Sequence, residues 1–431
     1  MKYRPSRGLI FCLTPLFAIG ATGAWAWSRA NESALHERVD GDFFALATKK
    51  RDLPKKDPEE SAATRKALRE GCAAMKEKML LEYPGLRIEE KPVPDEANAF
   101  LLFYKLTAVE DRRPKPGDSL RTMIDANTPW DREKAKAALA EDAEFVDLAE
   151  KIAAMPDRSS SHMPEDYIGF INARPAKEMS DVLALKARIA AEEGDGSEAL
   201  RLVEATRNLG AHFREIETRT LLGETVAILV DLNAVASSFE RLLPSLGPDT
   251  DLAPWKEALA TDRYTPADLA EAMRGDWNTA SEFFLYPAIL RQKPADGEEL
   301  ARLHAANFEK LVSELPKASW QEFPENGCHS LVEEMDGFSG KSREIADSFP
   351  VGTPGWNKGY MRAASVMAIH EAALDLLILE QNGESLAAGS VAKLRVDPVS
   401  GKAYHFDPAT RILSPPEEAA AANVKAVTLP W

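Results

Sequence analysis

The sequence predicts a mainly α protein: an irregular α-helical bundle, or an array of tetratricopeptide-repeat-like (TPR-like) helical hairpins, closed by a small C-terminal β-meander. Apolar residues recur at close to 3.6-residue spacing in stretches between Glu59 and Gln381. Two of the strongest stretches meet at Gly194-Asp195-Gly196, the turn of an αα-hairpin. Period-two alternation enters only after residue 391, between Asp-Pro turns.

The N-terminus sets the compartment. Lys2, Arg4 and Arg7 precede an uncharged run of 19 residues from Leu9 to Trp27, which reads as a signal peptide or a membrane anchor. At about 1.5 Å per helical residue it could just span a hydrocarbon core of about 30 Å. Ala24-Trp25-Ala26 has the small-x-small pattern of a cleavage site, while residues 9–27 kept intact would anchor the chain. In both cases the body is expected outside the cytoplasm: periplasmic, or held at the inner membrane. The net charge is −16, and residues 1–30 contribute +4, leaving −20 for the remainder. Nucleic acid and anionic lipid are poor partners for so acidic a body.

Along the chain, residues 28–160 form an N-terminal helical region. It begins with an amphipathic stretch from Asn31 to Lys50, and a helix follows from Glu59 to Tyr83, stopped by Pro84-Gly85. Pro94–Asn98, with Asp95 and Asn98, introduces an apolar helix from Ala99, and a third block runs from Trp130 to Met155. A polar break at Ser159–Ser161 suggests a boundary near residue 160. Residues 161–390 form the main TPR-like domain. It holds the Gly194 hairpin with its small Ala199, a long apolar helix from Phe213 to Leu242, and helices at Pro266–Arg274, Glu298–Glu314 and Gly359–Gln381. Gly383 stops the last one as a left-handed cap. Residues 391–413 read as a β-meander turning at Asp397–Lys402, where Gly401 can take positive φ. Residues 414–431 read as a flexible tail.

These pieces together resemble a broad group of exported or membrane-anchored helical proteins of planctomycetes and verrucomicrobia. The resemblance rests on Pro94–Asn98, on the Gly194-Asp195 hairpin with Ala199, on the helix ending near Gly383, and on the closing turn Asp397-Pro398-Val399-Ser400-Gly401-Lys402. It spans roughly residues 60–410 and implies no particular activity.

No local catalytic motif stands out. His370-Glu371 begins like His-Glu-x-x-His, but Leu374 replaces the second histidine. Gly340-Lys341-Ser342 lacks the earlier glycine of a phosphate-binding loop, and Ser390-x-x-Lys393 lacks its companion motifs. No metal or cofactor is expected. Beyond the leader, Cys72 and Cys328 could form a disulfide in an oxidising compartment or remain buried thiols. The expectation is therefore a non-enzymatic envelope protein that binds a partner, another envelope protein, or scaffolds an assembly through a helical surface. The alternative is an extracytoplasmic hydrolase whose site is assembled from distant residues.

Overall fold

The computed structural model describes residues 62–107, 114–125, 128–163, 173–260, 262–322, 337–349, 351, 354–387 and 395–431. The leader, the Asn31–Lys50 stretch, Cys328, Ser390 and Lys393 lie outside the described residues.

In chain order the helices are α1 (Ala62–Glu82), α2 (Ala99–Thr107), α3 (Asp118–Ile124), α4 (Arg132–Glu141), α5 (Ala143–Ala154), α6 (Ala173–Glu192), α7 (Gly196–Arg214) and α8 (Leu221–Ser237). A π-turn at Ser238–Leu242 carries α8 into α9 (Leu243–Leu246), followed by α10 (Ala253–Leu259) and α11 (Pro266–Ala280). A second π-turn, Ser281–Leu285, joins α11 to α12 (Tyr286–Gln292). Then come α13 (Gly297–Glu314), α14 (Gly340–Ser348) and α15 (Pro354–Gln381). The chain closes with β1 (His405–Asp407), β2 (Ile412–Ser414), α16 (Glu417–Ala421) and β3 (Val427–Thr428). The protein is thus mainly α with one small antiparallel sheet, as the sequence predicts.

Two compact units divide the chain, and their course differs from the expected boundaries. Described residues 62–87, 276–317 and 337–359 form the smaller unit. Residues 88–275 and 318–322, with those from Tyr360 onward, form the larger one. No boundary falls near residue 160, because helices on either side of it share a core. Asn208 of α7 donates through Nδ2 to the carbonyls of Ala153 (2.6 Å) and Met155 (3.0 Å) at the end of α5. One turn on, His212 donates through Nε2 to Ile152 O at 2.7 Å. These bonds fall on carbonyls at the end of α5, where a helix runs short of its own donors.

In the smaller unit, Cys72, Met79 and Leu80 bury one stripe of α1, and Pro84 ends the helix in a 3₁₀ turn. Asn278 donates to Leu86 O at 2.9 Å, tying that turn to α11. Cys72 is a free thiol buried in this core, and burial raises its pKa.

In the larger unit, α6 and α7 form the expected hairpin. Gly194 takes φ +79, and the NH of Asp195 bonds back to Ala190 O at 2.9 Å, as in a left-handed helix stop. Asp195 then caps α7, its Oδ1 accepting from the NH of Glu198 at 3.0 Å. Ala199 is fully buried, which lets the two helices approach. Asp195→Ala is expected to cost about 1 kcal/mol, read as a lower urea midpoint at unchanged slope.

Three expectations along this unit are corrected. The block from Trp130 to Met155 is two helices, divided at Asp142. The long helix does not begin at Phe213: that residue lies in the last turn of α7, and α8 starts at Leu221, where Thr220 Oγ1 accepts from the NH of Gly223 at 3.0 Å. The C-terminal residues are not a flexible tail. Leu413 of β2 pairs with Val427 of β3, Val424, Val427 and Leu429 are buried, and Trp431 Nε1 donates to Leu243 O at 3.1 Å. Consequently the sheet differs from the expected meander: before β1 there is only the bridge Val396–Ala403 among the described residues, and the third strand comes from the tail.

Among the described residues, one helical stretch, Leu221–Leu246, is long and apolar enough to cross a membrane. Since 61% of its apolar window is buried inside the protein, it has the character of a core helix.

Candidate functional site

The residues singled out in the sequence lie at separate places in the fold and do not converge on one site. Asn98 is a buried staple: its Nδ2 donates to Ser159 O (2.9 Å), and its Oδ1 accepts from the NH of Ser159 (3.0 Å) and of Leu101 (3.2 Å). Asp95 pairs with Lys105 at 3.1 Å on the surface. Asp397 Oδ2 accepts from the NH of Ser400 at 2.7 Å, Gly401 takes φ +70, and Lys402 pairs with Glu418. The Asn98 and Asp397 contacts hold backbone groups, and those of Asp95 and Lys402 are surface ion pairs.

His370 is a core residue too. Its Nδ1 donates to Val366 O at 2.7 Å, its ring stands edge-on to Phe239, and burial lowers its pKa to about 4, so it is neutral. Lys341 donates to Gln292 O at 3.0 Å and Ser342 bonds to Asp296, so the Gly340-Lys341-Ser342 segment also serves local packing. Among the described residues no group of His, Cys, Asp and Glu could hold a metal ion.

The gathering of titratable groups lies elsewhere, in the core of the larger unit, and the sequence reading passed over it. On α7, Arg207 and Arg214 are seven residues apart; on α8, Glu224 and Asp231 are also seven apart. Seven residues are close to two helical turns, so each pair shares a face, and the short link 215–220 folds α8 back along α7. Arg214 Nη1 donates to Asp231 Oδ2 at 2.7 Å and to the Tyr264 hydroxyl at 3.3 Å. That hydroxyl also bonds to Asp231. Arg207 reaches Asp231 Oδ1 at 3.5 Å and caps α10 through the carbonyls of Ala258 (2.6 Å) and Ala260 (2.9 Å).

Tyr264 is held in a backbone conformation that bulky residues seldom adopt, with φ +64. Its carbonyl accepts from Trp320 Nε1 at 2.7 Å, and its ring meets Tyr360 of α15 edge-on, with centroids 6.2 Å apart. Burial, with the Asp231 charge, raises its pKa well above the ordinary tyrosine value, so it is a neutral hydroxyl.

Beside this pair lies Glu224, which is fully buried. Arg219 Nη1 approaches Glu224 Oε1 to 4.0 Å and Asp268 Oδ1 to 3.6 Å. Asp268 itself closes the start of α11, its Oδ2 accepting from Thr265 NH at 3.0 Å and Oγ1 at 2.7 Å. The cluster therefore draws on α7, α8, α11, α15 and two connections.

A catalytic carboxylate must reach its substrate. Glu224 and Asp231 are fully buried, and Tyr264 and Tyr360 are each 1% exposed. As it stands, the arrangement can hold four helices in register and can store a proton or a charge. Comparisons with protein-family models, with curated proteins and with solved structures find no match to this chain.

Proposed function

We propose that the protein is exported, belongs to the envelope-protein group its motifs resemble, and acts outside the cytoplasm as a non-enzymatic binding or scaffolding protein. The surface proposed for the partner is the outward face of α8. Leu222, Thr225, Leu229, Leu232 and Ala236 follow one another at helical spacing, and none of them is buried. Leu229 is 36% exposed. This partly open apolar stripe, on a helix whose other faces are core, is the observation that carries the reading. The acidic body favours a partner with basic groups around an apolar seat, and the uncharged Leu9–Trp27 run supports the address.

A photo-crosslinking amino acid at position 229, in cells that make the full chain, tests this reading. One envelope protein captured at 229, and lost when Leu232→Glu is added to the folded protein, is the expected result. A folded protein that gives no adduct at 229, or the same adducts with and without Leu232→Glu, overturns it. The hydrolase alternative requires the charge cluster to open to a substrate, which its burial opposes.

A further inference from the structure

We propose that Glu224 takes up and releases a proton inside the intact fold, so that a single buried charge makes the packing of α7, α8, α11 and α15 responsive to pH.

The geometry carries this. Asp231 is met by two guanidinium groups and a hydroxyl, with contacts at 2.7 and 3.5 Å to the arginines. Glu224, two turns earlier on the same helix, is equally buried, yet both its carboxylate oxygens stand without a hydrogen-bond partner. The Tyr360 hydroxyl beside it falls outside hydrogen-bond geometry but is close enough to favour the ionised carboxylate, and Arg219 Nη1 also lacks a hydrogen-bond partner. An ionised carboxylate needs several donors when it leaves water, whereas a protonated acid needs far less.

The groups facing Glu224 come from each side. Arg214 on α7 is already committed to Asp231, and Arg219 on the link stands 4.0 Å away and is shared with Asp268 of α11. Asp268 opposes a second negative charge, and Tyr264 and Tyr360 contribute neutral hydroxyls. From α6, Asp181 meets α8 at Asn233, beyond Asp231. With Glu224 ionised the three arginines meet three carboxylates; with it neutral the cluster holds one excess positive charge.

Burial raises the pKa of Glu224 to about 7, against the opposing pull of Arg214 and Arg219. A carboxyl whose pKa is higher folded than unfolded stabilises the fold fully below its unfolded pKa, and that stability is lost as pH rises through the folded value. The window therefore runs from about pH 4.5 to about pH 7, with the fold loosening on the alkaline side.

Thermal unfolding of the full chain across this window provides the test. The wild-type midpoint should fall by roughly 5 °C between about pH 5 and about pH 8, and Glu224→Gln should remove most of that slope. Tyr360→Phe, which deletes a hydroxyl that favours the ionised form, should move the transition to higher pH. Parallel curves for wild type and Glu224→Gln overturn the proposal. Should Glu224→Gln fail to fold, infrared spectra of wild type with isotope-labelled glutamate decide: a protonated-acid band persisting at about pH 6 and moved by Tyr360→Phe supports it, and no such band overturns it.

Discussion

Asp231→Ala should destabilise the larger unit by about 3–5 kcal/mol, the cost of removing one partner of a buried ion pair and leaving the other uncompensated. Arg214 is 1% exposed, and its Nε and Nη2 have no hydrogen-bond partners of their own. Without Asp231 its Nη1 keeps only the Tyr264 hydroxyl, and Tyr264, already at positive φ, loses the carboxylate that receives its own proton. Urea unfolding followed by far-ultraviolet circular dichroism should show the loss as a lower midpoint. Arg214→Met combined with Asp231→Leu should regain most of it, because the pair and its desolvation disappear together. If the single variant costs less than about 1 kcal/mol, the pair does not lock α7 to α8.

Gly275→Ala is the second large effect. A Cβ at this position of α11 would stand 1.6 Å from Arg219 O and 2.5 Å from Arg219 C. These are backbone atoms, so no side-chain rotation relieves the clash; α11 and the 215–220 link must separate. Overpacking of a core commonly costs about 1–3 kcal/mol, and a backbone collision this close should reach about 3 kcal/mol or more. Arg219 would move with the link, and with it the guanidinium nearest Glu224, so this variant should also shift the pH at which stability changes. Gly359→Ala is the control: it lies within α15, nothing stands within 4 Å of its Cβ, and alanine there should be neutral or stabilise by up to about 1 kcal/mol. Equal midpoints for the two variants would show that the 215–220 link yields freely.

Features encoded within a few consecutive residues were legible in the sequence. The Gly194 stop and the Asp195 cap follow from positive φ and a short oxygen-bearing side chain. The same logic gives the end of α15 at Gly383 and the turn at Asp397–Gly401. The charge cluster left a trace as well: arginines seven apart on α7 and acids seven apart on α8, within otherwise apolar faces. That trace resembles ordinary surface charge until the partner faces are known. Tyr264, Asp268 and Tyr360 lie far along the chain and carry no local mark of their role.

By itself, then, the sequence determined the helical class, the hairpin and the main stops, because helix periodicity and capping depend on neighbours three or four residues away. Only the tertiary structure decided that residues 88–160 share a core with the hairpin, that the last residues supply β3, and that Glu224 sits buried with no donor in hydrogen-bond geometry while Asp231 has three. Those outcomes depend on which distant faces meet, and burial changes the energy of a charge far more than any local spacing does.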